Sequence, residues 1–312
     1  MKYFQVGMIA FVATYILTPY IARVGKKQNL VDTPGYRKIH RDAIPNLGGL
    51  VIFFGFLMSL LAVIPIKDEI RPFLIGGLII LLLGIVDDIV DLRPMYKFII
   101  QMMPAILVIG YHYAAINQYI SEQLSLLGVM GYLVYPLLLF WIVGVTNSIN
   151  LIDGLDGLAC GVSVNSLLAL FLIGFMIGPK VALYNLINIA ILGSMAAFFR
   201  YNFYPAHMFM GDSGSTLAGY TMATLSVLWV IFSGKILFVF IPIIILALPI
   251  FDTLFAIGRR LLSHQPIFKA DQGHLHHRLL KRGLSHRNVV LILLGINAIC
   301  CLLAVILGVS LL

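Results

Sequence analysis

Apolar residues run through this chain in stretches of about twenty, broken by short polar links. A helix needs about twenty apolar residues to cross a bilayer. Ten runs fit that reading, at 3–22, 46–65, 72–87, 98–116, 124–146, 158–178, 181–199, 215–232, 236–257 and 288–311, the third being short. The pattern predicts an all-α polytopic membrane protein of about ten transmembrane helices, forming one integral-membrane domain over 1–312. The first run follows only Lys2 and carries no small-residue cleavage site, so it is expected to stay in the membrane.

Ten crossings sort the links onto two sides. One side receives 23–45, 88–97, 147–157, 200–214 and 258–287, with sixteen of the twenty-one Lys and Arg residues. The other holds Lys67, Arg71, Lys180 and Lys235, with Lys2 at the N-terminus. The positive-inside rule makes the first side cytoplasmic and puts both termini outside. Asp87, Asp88, Asp91, Asp153, Asp156, Asp212 and Asp271 fall at the edge of that same side. Seven of the eight histidines do too, and Asp252 lies just inside a helix end there. An ion path through the membrane would more often place such groups near its middle. The one-sided distribution favours a single site on the cytoplasmic face.

Composition agrees with the hydropathy pattern. The chain is 61% hydrophobic and 11% charged, against about 25% charged in soluble domains. Its mean hydropathy is +1.00. The net charge of +8 includes a basic stretch from Tyr36 to Arg41. That stretch reads either as an interfacial anchor or as an attractor of a polyanionic ligand or lipid phosphate. The expected partner surface is the lipid bilayer, with no nucleic acid. Cys160, Cys300 and Cys301 have neither disulfide nor metal spacing and read as small buried or lipid-facing residues.

Four polar segments carry the candidate chemistry. Asn147 to Gly157 reads NSINLIDGLDG between two apolar runs. Asn147, Asn150, Asp153 and Asp156 are spaced by three, as on one side of a helix turn, while Gly154 and Gly157 equally suit an unwound backbone. Such an oxygen-only donor set suits Mg²⁺ or Mn²⁺. Asp87 and Asp88 end the third run, where a helix dipole disfavours anions. Either a bound cation or Lys97 would relieve that cost. Ser213, Gly214 and Ser215 open the eighth run, where their N–H groups could meet a phosphate. His274, His276 and His277 precede Arg278 without a matching cysteine set, so hydrogen bonding to phosphate or sugar is preferred over zinc.

In this order and on one face, these segments resemble the polyprenyl-phosphate N-acetylhexosamine-1-phosphate transferases. The likeness runs from the first span to the last. It rests on Asp87-Asp88, on Asn147 to Gly157, on Gly211 to Ser215, and on His274 to His277. The resemblance implies transfer of a sugar 1-phosphate from a UDP-sugar to a polyprenyl phosphate, with release of UMP. It places Asn150 and Asp212 nearest a Mg²⁺ ion and counts Asp212 among the catalytic residues. Asp87 would orient or deprotonate the lipid phosphate with Asp88 beside it, and Lys97 would face the diphosphate. Asn147, Asp153 and Asp156 would serve the nucleotide or support the metal. His274, His276, His277 and Arg278 would contact pyrophosphate and sugar. The interrupted histidine run resembles the branch that starts teichoic acid, common antigen or O-antigen synthesis. The expected substrates are therefore UDP-N-acetylglucosamine and undecaprenyl phosphate, by direct attack. The sister branch, which transfers phospho-N-acetylmuramoyl-pentapeptide, usually carries three consecutive histidines, and Leu275 breaks that run here. A prenyltransferase and a cation-coupled transporter are the rival classes, and a homodimer is compatible with every reading.

Overall fold

The computed structural model describes residues 1–32, 43–64, 67–266 and 273–312. Most of the basic stretch in the first loop, and Asp271 with Gln272, lie outside the described residues. Thirteen α-helices carry almost the whole of the described chain: α1 Lys2–Lys27, α2 Gly48–Val63, α3 Arg71–Val90, α4 Pro94–Tyr111, α5 Tyr113–Gln123, α6 Val134–Ile152, α7 Leu158–Ile177, α8 Ala182–Asn202, α9 Gly211–Ser233, α10 Phe240–Ile245, α11 Ala247–Leu262, α12 Leu275–Lys281 and α13 His286–Leu311. Among the described residues, one sheet pairs β1 (Val31–Asp32) with β2 (Ile44–Pro45), antiparallel, just before α2.

Each of the ten apolar runs contains helix among the described residues. Eight segments are long and apolar enough to cross a membrane. A ninth is broken, α10 and α11 meeting at 79°. The tenth, α2, has only 16 residues and is about 24 Å long at 1.5 Å per residue.

The break in the ninth run follows from its prolines. Pro249 has no N–H to offer the Ile245 carbonyl one turn back, so that acceptor is left over. Asn297 of α13 donates its Nδ2 to Ile245 O at 3.2 Å and satisfies it inside the bundle. Backbone polar groups at membrane depth need such a partner because lipid offers none.

At the centre stands α9, with every residue from Ser213 to Ile231 buried. It packs against α2, α3, α6 and α7. The approach is close because the contacts are made by small residues, the usual device between membrane helices. Gly84 of α3 lies against the Ser213 backbone and Gly49 of α2 against Gly214, so a Cβ at either would overlap main-chain atoms.

Helix directions follow from side-chain bonds. The Tyr3 hydroxyl donates to Ala182 O (3.4 Å) and the Tyr201 hydroxyl to Tyr15 O (3.0 Å), so α1 and α8 run parallel. Lys235, just past α9, donates to Leu312 O at 3.2 Å. Both chain ends therefore lie at the end of the bundle opposite to the start of α9. At that start the ends of α3 and α6 meet the beginnings of α4 and α9.

Candidate active site

The end of α3 and the start of α9 solve each other's electrostatic problem. A helix C-terminus repels carboxylates and an N-terminus leaves N–H groups without partners. Asp88, on the last turn of α3, accepts from Asp212 N at 2.8 Å through Oδ1 and from Ser213 N at 3.2 Å through Oδ2. It thus caps α9 from another helix. Asn46, just before α2, adds its Nδ2 to Asp88 Oδ1 at 2.9 Å. Of the three N–H groups expected to meet a phosphate at this helix start, that of Ser213 is engaged by Asp88.

Asp87, only 5% exposed, is satisfied differently. Its Oδ1 accepts from Leu92 N at 2.8 Å, and its Oδ2 pairs with Lys97 Nζ. Lys97, one of the two expected ways to relieve the acidic helix end, is paired with it. The turn that brings Lys97 back passes through Asp91 in the left-handed region (φ 53°) and restarts with Pro94 in the first turn of α4. Asp and Asn tolerate that conformation better than other side chains.

Lys97 Nζ also lies 3.5 Å from Asp212 Oδ2, so one ammonium bridges the carboxylates of α3 and α9. The other oxygen of Asp212 accepts from Asn150 Nδ2 at 2.7 Å, and that same nitrogen reaches Ser215 Oγ at 3.0 Å. Four helices thus converge on Asp212. One turn deeper, Asn147 donates to Gln101 Oε1 (2.5 Å) and to Val143 O (2.8 Å).

Past α6 the chain unwinds. Asp153 ends the helix, and Gly157 takes a positive φ of 82° before α7 begins. Asp156 Oδ2 accepts from Ala206 N at 3.1 Å, tying this segment to the link before α9. Burial, followed by the negative charges of Asp212, Asp88 and Asp156, pushes the Asp153 carboxyl up to about 8. Asp153 therefore sits within the field of the junction without closing a salt bridge there.

The histidine segment folds onto this loop. The His276 ring fills the space beside Gly154, where a Cβ would overlap it. His276 stacks in parallel with His274 (centroids 5.8 Å, planes 7° apart) and lies against His277 (4.3 Å, 46°). His274 Nδ1 and Leu275 N both meet the carboxylate of Asp252 on α11, each at 2.8 Å. Among the described residues, neither of the buried ring nitrogens of His276 has a hydrogen-bond partner. Burial, then the neighbouring His277, hold its pKa down to about 4 against the pull of Asp252, with His274 and His286 adding to the depression. Arg278 is exposed on α12 and forms no ion pair with the described residues.

The glycosyl transferase family 4 model matches residues 70–230, slightly more than half of the chain, from the start of α3 nearly to the end of α9. The chain belongs to glycosyl transferase family 4. It is 40% identical over 305 residues to the probable undecaprenyl-phosphate N-acetylglucosaminyl 1-phosphate transferase of Bacillus subtilis (strain 168), covering 96% of this chain and 83% of that protein. It is 31% identical to the decaprenyl-phosphate N-acetylglucosaminephosphotransferase of Mycobacterium leprae (strain TN), over 92% of this chain and 79% of that one. A third relative is the undecaprenyl-phosphate alpha-N-acetylglucosaminyl 1-phosphate transferase of Thermotoga maritima, 29% identical over 92% of this chain and 84% of that protein.

In this family 4 member, the residues singled out by the motifs fall into two groups. Asp87, Asp88, Lys97, Asn150 and Asp212 form one bonded junction. His274, His276 and His277 form a second, which reaches the first through Gly154 and Asp153. Asn147 stands behind the junction, and Asp156 faces the 203–207 link. Three positions at the site escaped the sequence reading: Asn46, Gln101 and the role of Asp252. For Gln101 a signal was available, since it stands four residues after Lys97 and so on the same face of α4.

A metal ion has suitable donors at the junction. Among the described residues, no three His, Cys, Asp or Glu side chains converge as a ready-made cage. Mg²⁺ does not require one, because it keeps several waters and is commonly held by one or two carboxylates with substrate phosphates. Asp212, the Asn150 amide oxygen and Asp87 supply hard oxygen donors of that kind.

Proposed function

We propose that this protein transfers N-acetylglucosamine 1-phosphate from UDP-N-acetylglucosamine to undecaprenyl phosphate, releasing UMP and starting a cell-envelope glycopolymer of the teichoic acid or O-antigen kind. The observation that carries the reading is the four-helix junction on Asp212, in a chain closely similar to enzymes named for this transfer. On this reading the site face is the cytoplasmic one of the plasma membrane and both termini lie outside, because sixteen of the twenty-one basic residues fall in the links on the site side.

In the reaction, an oxygen of the lipid phosphate attacks the β-phosphorus of the donor. The bond from that phosphorus to the bridging oxygen breaks, and UMP carries the oxygen away. One phosphoanhydride replaces another, so the task is to bring two anions together. Asp212 and Asn150, with Asp87 beside them, would hold Mg²⁺. When bound, the ion supplies charge neutralisation for the diphosphate and polarises the bond to the leaving group.

The chain's own groups do the rest. Lys97 supplies a cation between the carboxylates and can turn toward a phosphate oxygen at little displacement. Asp87 positions the lipid phosphate, which needs little help to ionise since a phosphate monoester has a second pKa of about 6. Asp88 keeps Asp212 in place by capping the helix that carries it. His276, with two buried unpartnered nitrogens, is built to receive hydrogen-bonding groups of the donor.

The test is UMP release from a panel of UDP-sugars, with undecaprenyl phosphate and Mg²⁺. UDP-N-acetylglucosamine is expected to turn over fastest. Faster turnover of UDP-N-acetylmuramoyl-pentapeptide would move the chain to the peptidoglycan branch.

A further inference from the structure

His274 and His276 lie side by side, both buried, yet only one is held. Asp252 Oδ2 stands 2.8 Å from His274 Nδ1, while Asp252 Oδ1 accepts from Leu275 N at 2.8 Å. Asp252 is 8% exposed and His274 5% exposed, so water does not compete for this pair. Asp252 stands on α11, which meets α10 at 79°. An ionised carboxylate can only accept. The hydrogen between the two groups therefore belongs on His274 Nδ1, and Nε2 is the ring nitrogen left to face a ligand.

We propose that Asp252 is a positioning residue of this transferase. It sets the tautomer and orientation of His274, so that Nε2 accepts a hydrogen bond from a hydroxyl or amide N–H of the donor sugar. The inference rests on the transferase reading above. A carboxylate behind an imidazole is a general way to select the ring nitrogen that faces the ligand. The second bond gives Asp252 a structural share as well, since it holds the first residue of α12.

Asp252→Asn separates the two roles. The asparagine Oδ1 can still accept from Leu275 N, while its Nδ2 donates to His274 Nδ1 and moves the ring hydrogen to Nε2. The sugar donor then meets an N–H where it needs an acceptor. The expected result is a fall in kcat/KM for UDP-N-acetylglucosamine of about 10- to 100-fold, with the KM for undecaprenyl phosphate and the apparent Tm unchanged. In a His274→Ala background the same substitution should cost nothing further, because Asp252 would no longer have a ring to orient. Full activity of Asp252→Asn, or an undiminished extra loss in the His274→Ala background, overturns the proposal. A second measurement holds even if the variant does not fold. In ¹⁵N-histidine-labelled wild type, the signal lost in His274→Gln should show a protonated Nδ1 and an unprotonated Nε2, and the reverse pattern overturns it. Failure of the transferase reading looks different, since the wild type itself would then release no UMP from any donor.

Discussion

The junction on Asp212 and the histidine segment are neighbours built on opposite plans. At the junction each carboxylate has protein partners: Asp88 has two backbone N–H groups and Asn46, Asp87 has Leu92 N and Lys97, and Asp212 has Asn150 and Lys97. The helices that carry these groups are 18 to 23 residues long. The histidine segment rides on seven residues of α12, is anchored by Asp252, and leaves both nitrogens of His276 buried and unpaired. An unmade buried hydrogen bond costs about 1–3 kcal/mol. A fold retains such a cost where a ligand can remove it. The junction is therefore organised by the protein's own groups, and on the proposed function the donor completes the histidine segment.

That contrast can be broken at its strongest point first. Asp212→Ala and Asn150→Ala should each lower turnover by about 10²–10³-fold or more, with the apparent Tm little changed and the Mg²⁺ dependence lost or shifted to higher concentration. Near-native turnover of both variants at limiting Mg²⁺ would remove the metal from these two residues.

Next comes Asp88, whose importance lies in the cap. Hydrogen bonds to charged groups contribute about 1.5–3 kcal/mol each, and Asp88→Ala removes two at the start of α9. Thermal unfolding in detergent should show a lower apparent Tm together with lost activity, and Asp88→Asn, which keeps one acceptor, should fall between. An unchanged Tm in Asp88→Ala would mean that the cap does not hold α9.

His276→Ala should reduce transfer about ten- to hundredfold without changing Mg²⁺ affinity. The pH dependence sharpens the same point. With the folded pKa held down to about 4 and an ordinary value of 6.5, the unfolded chain takes up a proton first. Stability is then lost as pH falls from about 6.5 toward 4, and His276→Gln should flatten that acid limb in a Tm–pH series.

At Asp153 the effect expected is on stability, and it has the opposite slope. Its folded pKa is raised to about 8 from 3.8, so the folded chain keeps a proton that the unfolded chain has lost. Its contribution to stability is full below about 3.8 and is lost as pH rises toward 8. Asp153→Asn should therefore raise the apparent Tm of metal-free protein at pH 8 and leave it unchanged at pH 4. A Tm gain equal at both pH values would dismiss the charge as its cause.

The same contrast explains what could be seen in the sequence. Each of the ten apolar runs contains helix among the described residues, because an apolar segment in lipid has little alternative to hydrogen-bonding within itself. The clustering of aspartates and asparagines at one face was equally visible. What the linear chain hid is pairing across long separations. Asp88 reads as an acid at an unfavourable helix end until α9 is placed against it, 124 residues later. Gln101 and Asn46 look like ordinary polar residues until Asn147 and Asp88 meet them. The run at 236–257 reads as one span because hydropathy is blind to the Ile245 carbonyl that Pro249 leaves unpaired.

The central claim is that this junction moves a sugar together with its phosphate, and the fate of the β-phosphorus tests it most directly. Purified protein would be given UDP-N-acetylglucosamine carrying ³²P at the β-position, with undecaprenyl phosphate and Mg²⁺, and the mixture partitioned between butanol and water. The account predicts label in the lipid phase, unlabelled UMP in the water, and neither in the Asp212→Ala variant. Label recovered as UDP in the water, with unlabelled phosphate in the lipid product, would contradict it.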